Sequence, residues 1–162
     1  MSMDKEANCL MQAPPSGGPI FAASCDVAIN SMQVQYRKVE ALVDSGAAAH
    51  VLPPSLLEDY PTEAGSAKKL GINYVTADGN ELPDLGERLI PFKTQESHEC
   101  AIKFQVADVK RPLISVATLM AQGNQISFDK EGGSITTKDG SKSIRFHLQR
   151  GVYVLELWVA PF

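Results

Sequence analysis

Short apolar segments of strand-like composition, separated by turn residues, dominate the chain from Ile20 onward. They cover 27–32, 35–43, 73–77, 88–92, 101–106 and 151–159, lengths that suit strands of a sheet. Asp78-Gly79 lies between Tyr74-Val75-Thr76-Ala77 and Asn80-Glu81-Leu82. That order predicts a hairpin closed by a two-residue type I′ turn, whose central positions both need positive φ. A second sharp turn is expected at Lys138-Asp139-Gly140-Ser141. Helical signals are few. Residues 116–122 are largely good helix formers and stop at Gly123-Asn124, a left-handed exit. One further helical turn is expected over 54–60, with Pro61 closing it. The pattern predicts a single, mainly β, mostly antiparallel domain over 20–162, and no repeat marks a solenoid or propeller.

Residues 1–19 read differently. They are rich in Met, Pro and Gly, and Pro14-Pro15-Ser16-Gly17-Gly18-Pro19 is the strongest breaker cluster in the chain, so a flexible leader or linker is expected there. At 162 residues the chain suits one domain that buries roughly two thirds of its unfolded surface. With 44% hydrophobic and 21% charged residues it has an ordinary globular composition, and no apolar run approaches the roughly 18 residues of a membrane span. No membrane association is expected. A net charge of -4, a pI near 5.3 and scattered basic residues argue against direct nucleic-acid binding, which needs clustered Lys and Arg.

Cys9, Cys25 and Cys100 are odd in number and widely spaced, which favours thiols in a reducing, cytoplasmic setting over a disulfide framework. The N-terminal residues lack the basic flank and long apolar core of a signal peptide, in keeping with that location. His50, His98 and His147 are dispersed, and only His98 with Cys100 forms a close pair, too little for a four-ligand zinc site. No metal and no cofactor are expected.

The candidate chemistry lies in Ala41-Leu42-Val43-Asp44-Ser45-Gly46-Ala47, an apolar run delivering a carboxylate into a tight turn. Leu42 and Val43 can anchor the strand in a core, Gly46 permits close backbone approach, and Ser45 offers a short hydroxyl. Ala47, Ala48 and Ala49 add little bulk. Asp-Ser-Gly is also a good turn tripeptide, so a small β domain in which it is merely a turn is a competing expectation. No second Asp followed by Ser or Thr and then Gly occurs in the chain. A two-carboxylate site would therefore need Asp44 from a second copy. A Ser-His-Asp relay through His50 fails on inventory: Ser45 adjoins Asp44, and there is no Gly-x-Ser-x-Gly elbow. A structural role near the active-site turn is the better expectation for His50.

The segment from Lys38 to Ala47 resembles the active-site strand and turn of the retropepsins, the aspartic proteases of retroviruses and retrotransposons. Three segments in order are similar to the protease region of Copia-type retrotransposon polyproteins. They are Asp44-Ser45-Gly46-Ala47-Ala48-Ala49-His50, then Thr76-Ala77-Asp78-Gly79-Asn80, then Leu113-Ile114-Ser115-Val116 with Leu119 and Gly123 behind it. The likeness covers roughly residues 25–159. Ala49 stands where that family usually has Ser or Thr, Ala77 where Gly is common, and Ser115 where retroviral proteases carry Gly.

The resemblance implies a retropepsin-like fold: a closed or partly open β-barrel with a flap hairpin over 73–92 and one short helix in the C-terminal half. It implies Asp44 as the catalytic residue, Ser45, Gly46 and Ala47 as the active-site turn, and Asp78, Gly79 and Asn80 as the flap tip. Leu113, Ile114 and Ser115 would form the buried strand behind the site. The implied activity is a homodimeric aspartic endopeptidase that hydrolyses extended peptides, processing a retrotransposon polyprotein. An apolar cleft would draw on Leu82, Ile90, Leu113 and Ile114, each of which suits plain core equally well. The terminal segment from Tyr153 to Val159 has the β propensity either to pair with a symmetry mate or to serve as a core strand. The alternative is a catalytically inactive or domesticated relative, a dimerisation or peptide-binding module that keeps the fold.

Overall fold

Alternating burial marks the long strands of the computed structural model, which describes residues 33–162. The expected strand over 27–32, the leader over 1–19, Cys9 and Cys25 lie outside the described residues. In chain order the elements begin with β1 (Arg37–Asp44), β2 (Val51–Leu52), α1 (Ser66–Lys69), β3 (Asn73–Val75), β4 (Glu81–Pro83), β5 (Glu87–Lys93) and β6 (Glu99–Val106). They continue with β7 (Leu113–Ser115), α2 (Val116–Ala121), β8 (Gln125–Asp129), β9 (Gly132–Thr136), β10 (Ser143–Gln149) and β11 (Val152–Val159). The period of two follows from side chains leaving opposite faces of a strand. β1 buries Val39, Ala41 and Val43, and β6 buries Cys100, Ile102, Phe104 and Val106.

The protein is mainly β, with one large mixed sheet of nine strands in the order β1-β7-β2-β6-β5-β11-β10-β9-β8. An additional antiparallel pairing of β1 with β11 joins the ends of the first six strands into a ring. The parallel pairs are β1 with β7 and β2 with β6. β11 is thus a core strand: one edge lies along β1, and the other is shared by β10 and by Lys93 of β5. Both of its edges carry partners within the chain, so the terminal strand is a core strand rather than a free edge. The ring interior is apolar, with Ile90, Phe104, Ile114, Leu119 and Leu157 at 0% exposure. Ile90 and Ile114 are therefore core, whereas Leu82 and Leu113 are only half-buried.

Three local expectations are corrected. The Asp78-Gly79 hairpin is a three-residue loop rather than a type I′ turn. Gly79 has φ of 86° and Asp78 has no positive φ; Gly79 N–H bonds Thr76 O at 2.9 Å, and Thr76 N–H bonds Asn80 O at 2.9 Å. This is a type I turn followed by a left-handed glycine, an alternative hairpin closure that requires one glycine instead of two permissive residues. The hairpin itself is smaller than 73–92: β3 and β4 form a separate two-stranded sheet, while β5 belongs to the large one. The helical turn expected over 54–60 is absent, because Leu57 adopts φ of 57°. Its side chain enters the core, the Leu56 carbonyl accepts from Arg88 Nη1 at 2.8 Å, and Tyr60 Oη donates to Ala160 O at 2.6 Å. Tertiary partners outweigh the local helical tendency.

Helix α2 forms nearly as expected and exits through Gly123 at φ of 94°. β8, β9 and β10 extend the sheet beyond the expected strands. β9 hides behind Gly132-Gly133, a pair that reads as a turn. In the fold a Cβ on Gly133 would fall 2.1 Å from Ser127 O and 2.4 Å from the Phe146 ring, so the glycine admits close packing inside a strand.

Candidate active site

Asp44 is the last residue of β1, and its position follows from the strand's two partners. In the parallel pairing with β7 it sits opposite Ser115, one step after Val43 opposite Ile114. Beneath it, Ala41, Val43 and Ile114 fill the ring interior. The alternation that buries Val43 leaves Asp44 half-buried, and Ser45, Gly46 and Ala48 are exposed. A carboxylate at this place keeps its hydration on one side and a fixed backbone on the other.

The turn closes on the carboxylate itself. Gly46 N–H donates to Asp44 Oδ1 at 2.7 Å. Gly46 does not need a left-handed φ; what matters is proximity, since a Cβ there would lie 3.3 Å from Oδ1. The other carboxylate oxygen, Oδ2, accepts no hydrogen bond from the described residues, and Ser45 Oγ makes none with them.

The rest of the loop is fastened from behind by Ser115. This residue has no solvent exposure, and its hydroxyl and backbone N–H are both hydrogen-bonded. Its hydroxyl donates to Ala47 O at 2.7 Å and accepts from Thr118 N–H at 3.1 Å, capping α2. Its backbone N–H donates to His50 Nδ1 at 3.0 Å. Thr118 Oγ1 adds a 3.3 Å bond to Ala48 O. Ser115 in place of glycine is thus a positive feature: a hydroxyl here links turn and helix. Thr118 is a contributor that the sequence reading missed, although a Ser directly before a helical segment is itself an N-cap signal.

His50 completes the support. Its ring is 5% exposed and stands edge to Phe104 with centroids 6.2 Å apart, while its carbonyl accepts from Gln105 N–H at 2.8 Å. Burial lowers its pKa from the ordinary 6.5 to about 4, because a charged ring would lose its hydration. Nε2 has no hydrogen-bond partner among the described residues. The structural role expected for His50 has a specific content: it is an acceptor for a backbone amide.

The other expected site residues divide. Leu113, Ile114 and Ser115 lie directly against β1, joined to Asp44 by register. Asp78, Gly79 and Asn80 do sit at a hairpin tip, but no hydrogen bond among the described residues connects that tip to the Asp44 turn. The Asp78 carboxylate is held locally by Thr76 Oγ1 and by Asn80 Nδ2, contacts that lower its pKa. At the hairpin base a buried carboxylate, Asp84, accepts from Tyr74 Oη at 2.7 Å and from Gly86 N–H at 2.8 Å. Burial and this neighbour raise the Tyr74 pKa. No three His, Cys, Asp or Glu side chains among the described residues form a group able to hold a metal. The Cys100 thiol is buried, which pushes its pKa up to about 11. No helix of the described residues is long and apolar enough to cross a membrane.

The arrangement presents one carboxylate with a free oxygen, on a braced turn, at an exposed surface. A single such group can polarise a water or accept its proton, and among the described residues no second carboxyl group hydrogen-bonds to it. No protein-family model matches this sequence, and no curated protein is similar to it at a significant level.

Proposed function

We propose that the chain is an aspartic endopeptidase of retropepsin-like fold that works as a two-fold homodimer, with one Asp44 from each protomer. The observation that carries this reading is the Asp44 turn: a strand-end carboxylate, pinned through Oδ1 by Gly46 and open at Oδ2, in a loop braced by a buried residue. Two such carboxylates about 3 Å apart cannot both ionise easily, so the pair shares one proton. One Asp44 then takes a proton from a water held between them, and the other protonates the departing amide nitrogen. The attack needs no covalent intermediate. A two-fold axis is the commonest oligomer symmetry and brings identical turns face to face. The hairpin β3-β4 is suited to act as a flap over an extended peptide, which backbone hydrogen bonds would hold in register. By resemblance the substrate is a retrotransposon polyprotein in the cytoplasm.

The test compares the protein with Asp44→Asn on a peptide library between about pH 4 and 7, the range over which a shared-proton pair works. Cleavage by the parent and none by the variant is expected; equal cleavage by both would sink the proposal. Sedimentation should show dimer in the active preparation.

One observation favours a second reading. Both edges of β11 carry partners within the protomer, so this strand is not a free edge on which a second copy could add. A chain that stays monomeric at micromolar concentration and binds extended peptides without cleaving them would be a peptide-binding module built on the same fold.

A further inference from the structure

Ser115 fastens the loop between Asp44 and β2 at two places, and the two bonds come from different atoms. The hydroxyl holds the near end at Ala47, and the backbone amide holds the far end at His50. A buried amide needs an acceptor, and this one finds it on a side chain. The hydroxyl could rotate to other partners, but the amide direction is set by the backbone. Its acceptor therefore fixes how the β7–α2 junction faces the turn.

We propose that His50 is a positioning residue for the Asp44 turn, acting as a neutral ring whose Nδ1 accepts the Ser115 amide and whose proton resides on Nε2. This extends the catalytic reading given above, and it rests on that reading only for its consequence in turnover. The geometry separates two things a buried imidazole can do. As plain core filling, any flat apolar side chain would serve, and the position of the ring nitrogens would be indifferent. As an acceptor, only the atom bonded to Cγ and aimed at Ser115 matters. Nε2, without a partner among the described residues, fits the second case: the ring is placed for its Nδ1 bond.

The discriminating substitutions follow from side-chain anatomy. Asparagine carries Oδ1 on Cγ, where histidine carries Nδ1; glutamine places its oxygen one bond further out; leucine has no acceptor. His50→Asn should keep the Ser115 amide protected from hydrogen exchange. His50→Gln and His50→Leu should speed that exchange by roughly tenfold to a hundredfold, the factor expected for a buried donor left unpaired. Nitrogen-15 spectra of the unsubstituted protein should show a neutral ring with Nδ1 bare and Nε2 protonated, a measurement that needs no variant to fold. For peptide cleavage, His50→Leu should lower kcat with little change in KM.

A ring protonated at Nδ1, or Ser115 protection in His50→Leu equal to the parent's, would overturn the proposal. Both readouts are independent of cleavage. If neither the parent nor any variant cleaves peptide, the catalytic reading fails while the ring state and exchange rates still decide this one.

Discussion

Two carboxylates in short turns, Asp44 and Asp78, meet very different surroundings. Asp44 sits in a loop tied to residues far along the chain, with Ser115 and Thr118 reaching Ala47 and Ala48. Asp78 is satisfied by Thr76 and Asn80, its immediate neighbours, in a two-stranded sheet apart from the large one. The first turn is anchored by the buried Ser115, with an exposed Thr118 bond beside it; the second keeps its bonds within the hairpin tip. Braced turns suit chemistry and self-contained hairpins suit covering motions, because placement of a reacting atom is costly to lose whereas a cover must open.

The contrast can be broken in graded ways. Asp44→Asn should reduce peptide cleavage by at least about a hundredfold, the lower end for loss of a general acid or base. Its urea midpoint should stay near the parent's, since Asn also accepts the Gly46 amide. Acid titration comes next. The unfolded His50 ring takes up a proton below 6.5, while the folded ring stays neutral down to about 4. Its contribution is therefore complete above the upper value, declines as pH falls between the two, and levels off below the lower. The loss should be about 3 kcal/mol in unfolding experiments and should vanish in His50→Asn. Asp59, Asp129 and Asp139 are held at about 2 by their hydrogen bonds. Their contributions are lost as pH falls from the ordinary carboxylate range through that value, below the His50 window.

Ser115→Ala removes a helix cap and the Ala47 tie together, and should cost about 2 kcal/mol by urea denaturation. Tyr74→Phe removes a hydrogen bond to the buried Asp84 and should cost about 1.5 kcal/mol, with faster amide exchange in β3 and β4 but not in the Asp44 loop. Asp78→Ala should alter only exchange and chemical shifts at the hairpin tip, leaving the denaturation midpoint unchanged. If it loosened the Asp44 loop as well, the independence of the two turns would be lost.

Much of the frame was readable from local patterns. β1, β5, β6 and β11 announce themselves by composition, and α2 by its helix formers and the glycine behind it. β8 and β10, outside the expected strands, carry alternations of their own, Ile126 with Phe128 and Ile144 with Phe146. β9 was hidden because its paired glycines serve close packing against Phe146, a reason that exists only once β10 lies alongside. The failed helical turn over 54–60 has the same origin: Leu57, Tyr60 and the Leu56 carbonyl follow partners from Arg88 to Ala160.

Local sequence alone was enough to place a carboxylate at the end of a buried strand, because apolar residues precede Asp44 and a turn-forming glycine follows it. It also determined that the chain supplies this motif once. What holds the turn depends on contacts distant in the chain: Ser115 and His50 are 65 residues apart, and a backbone amide finds a ring nitrogen only where β7 runs beside β1 and β2. Local sequence encodes direction and burial through short-range sterics and hydropathy, whereas the pairing of two buried polar atoms depends on which strands become neighbours.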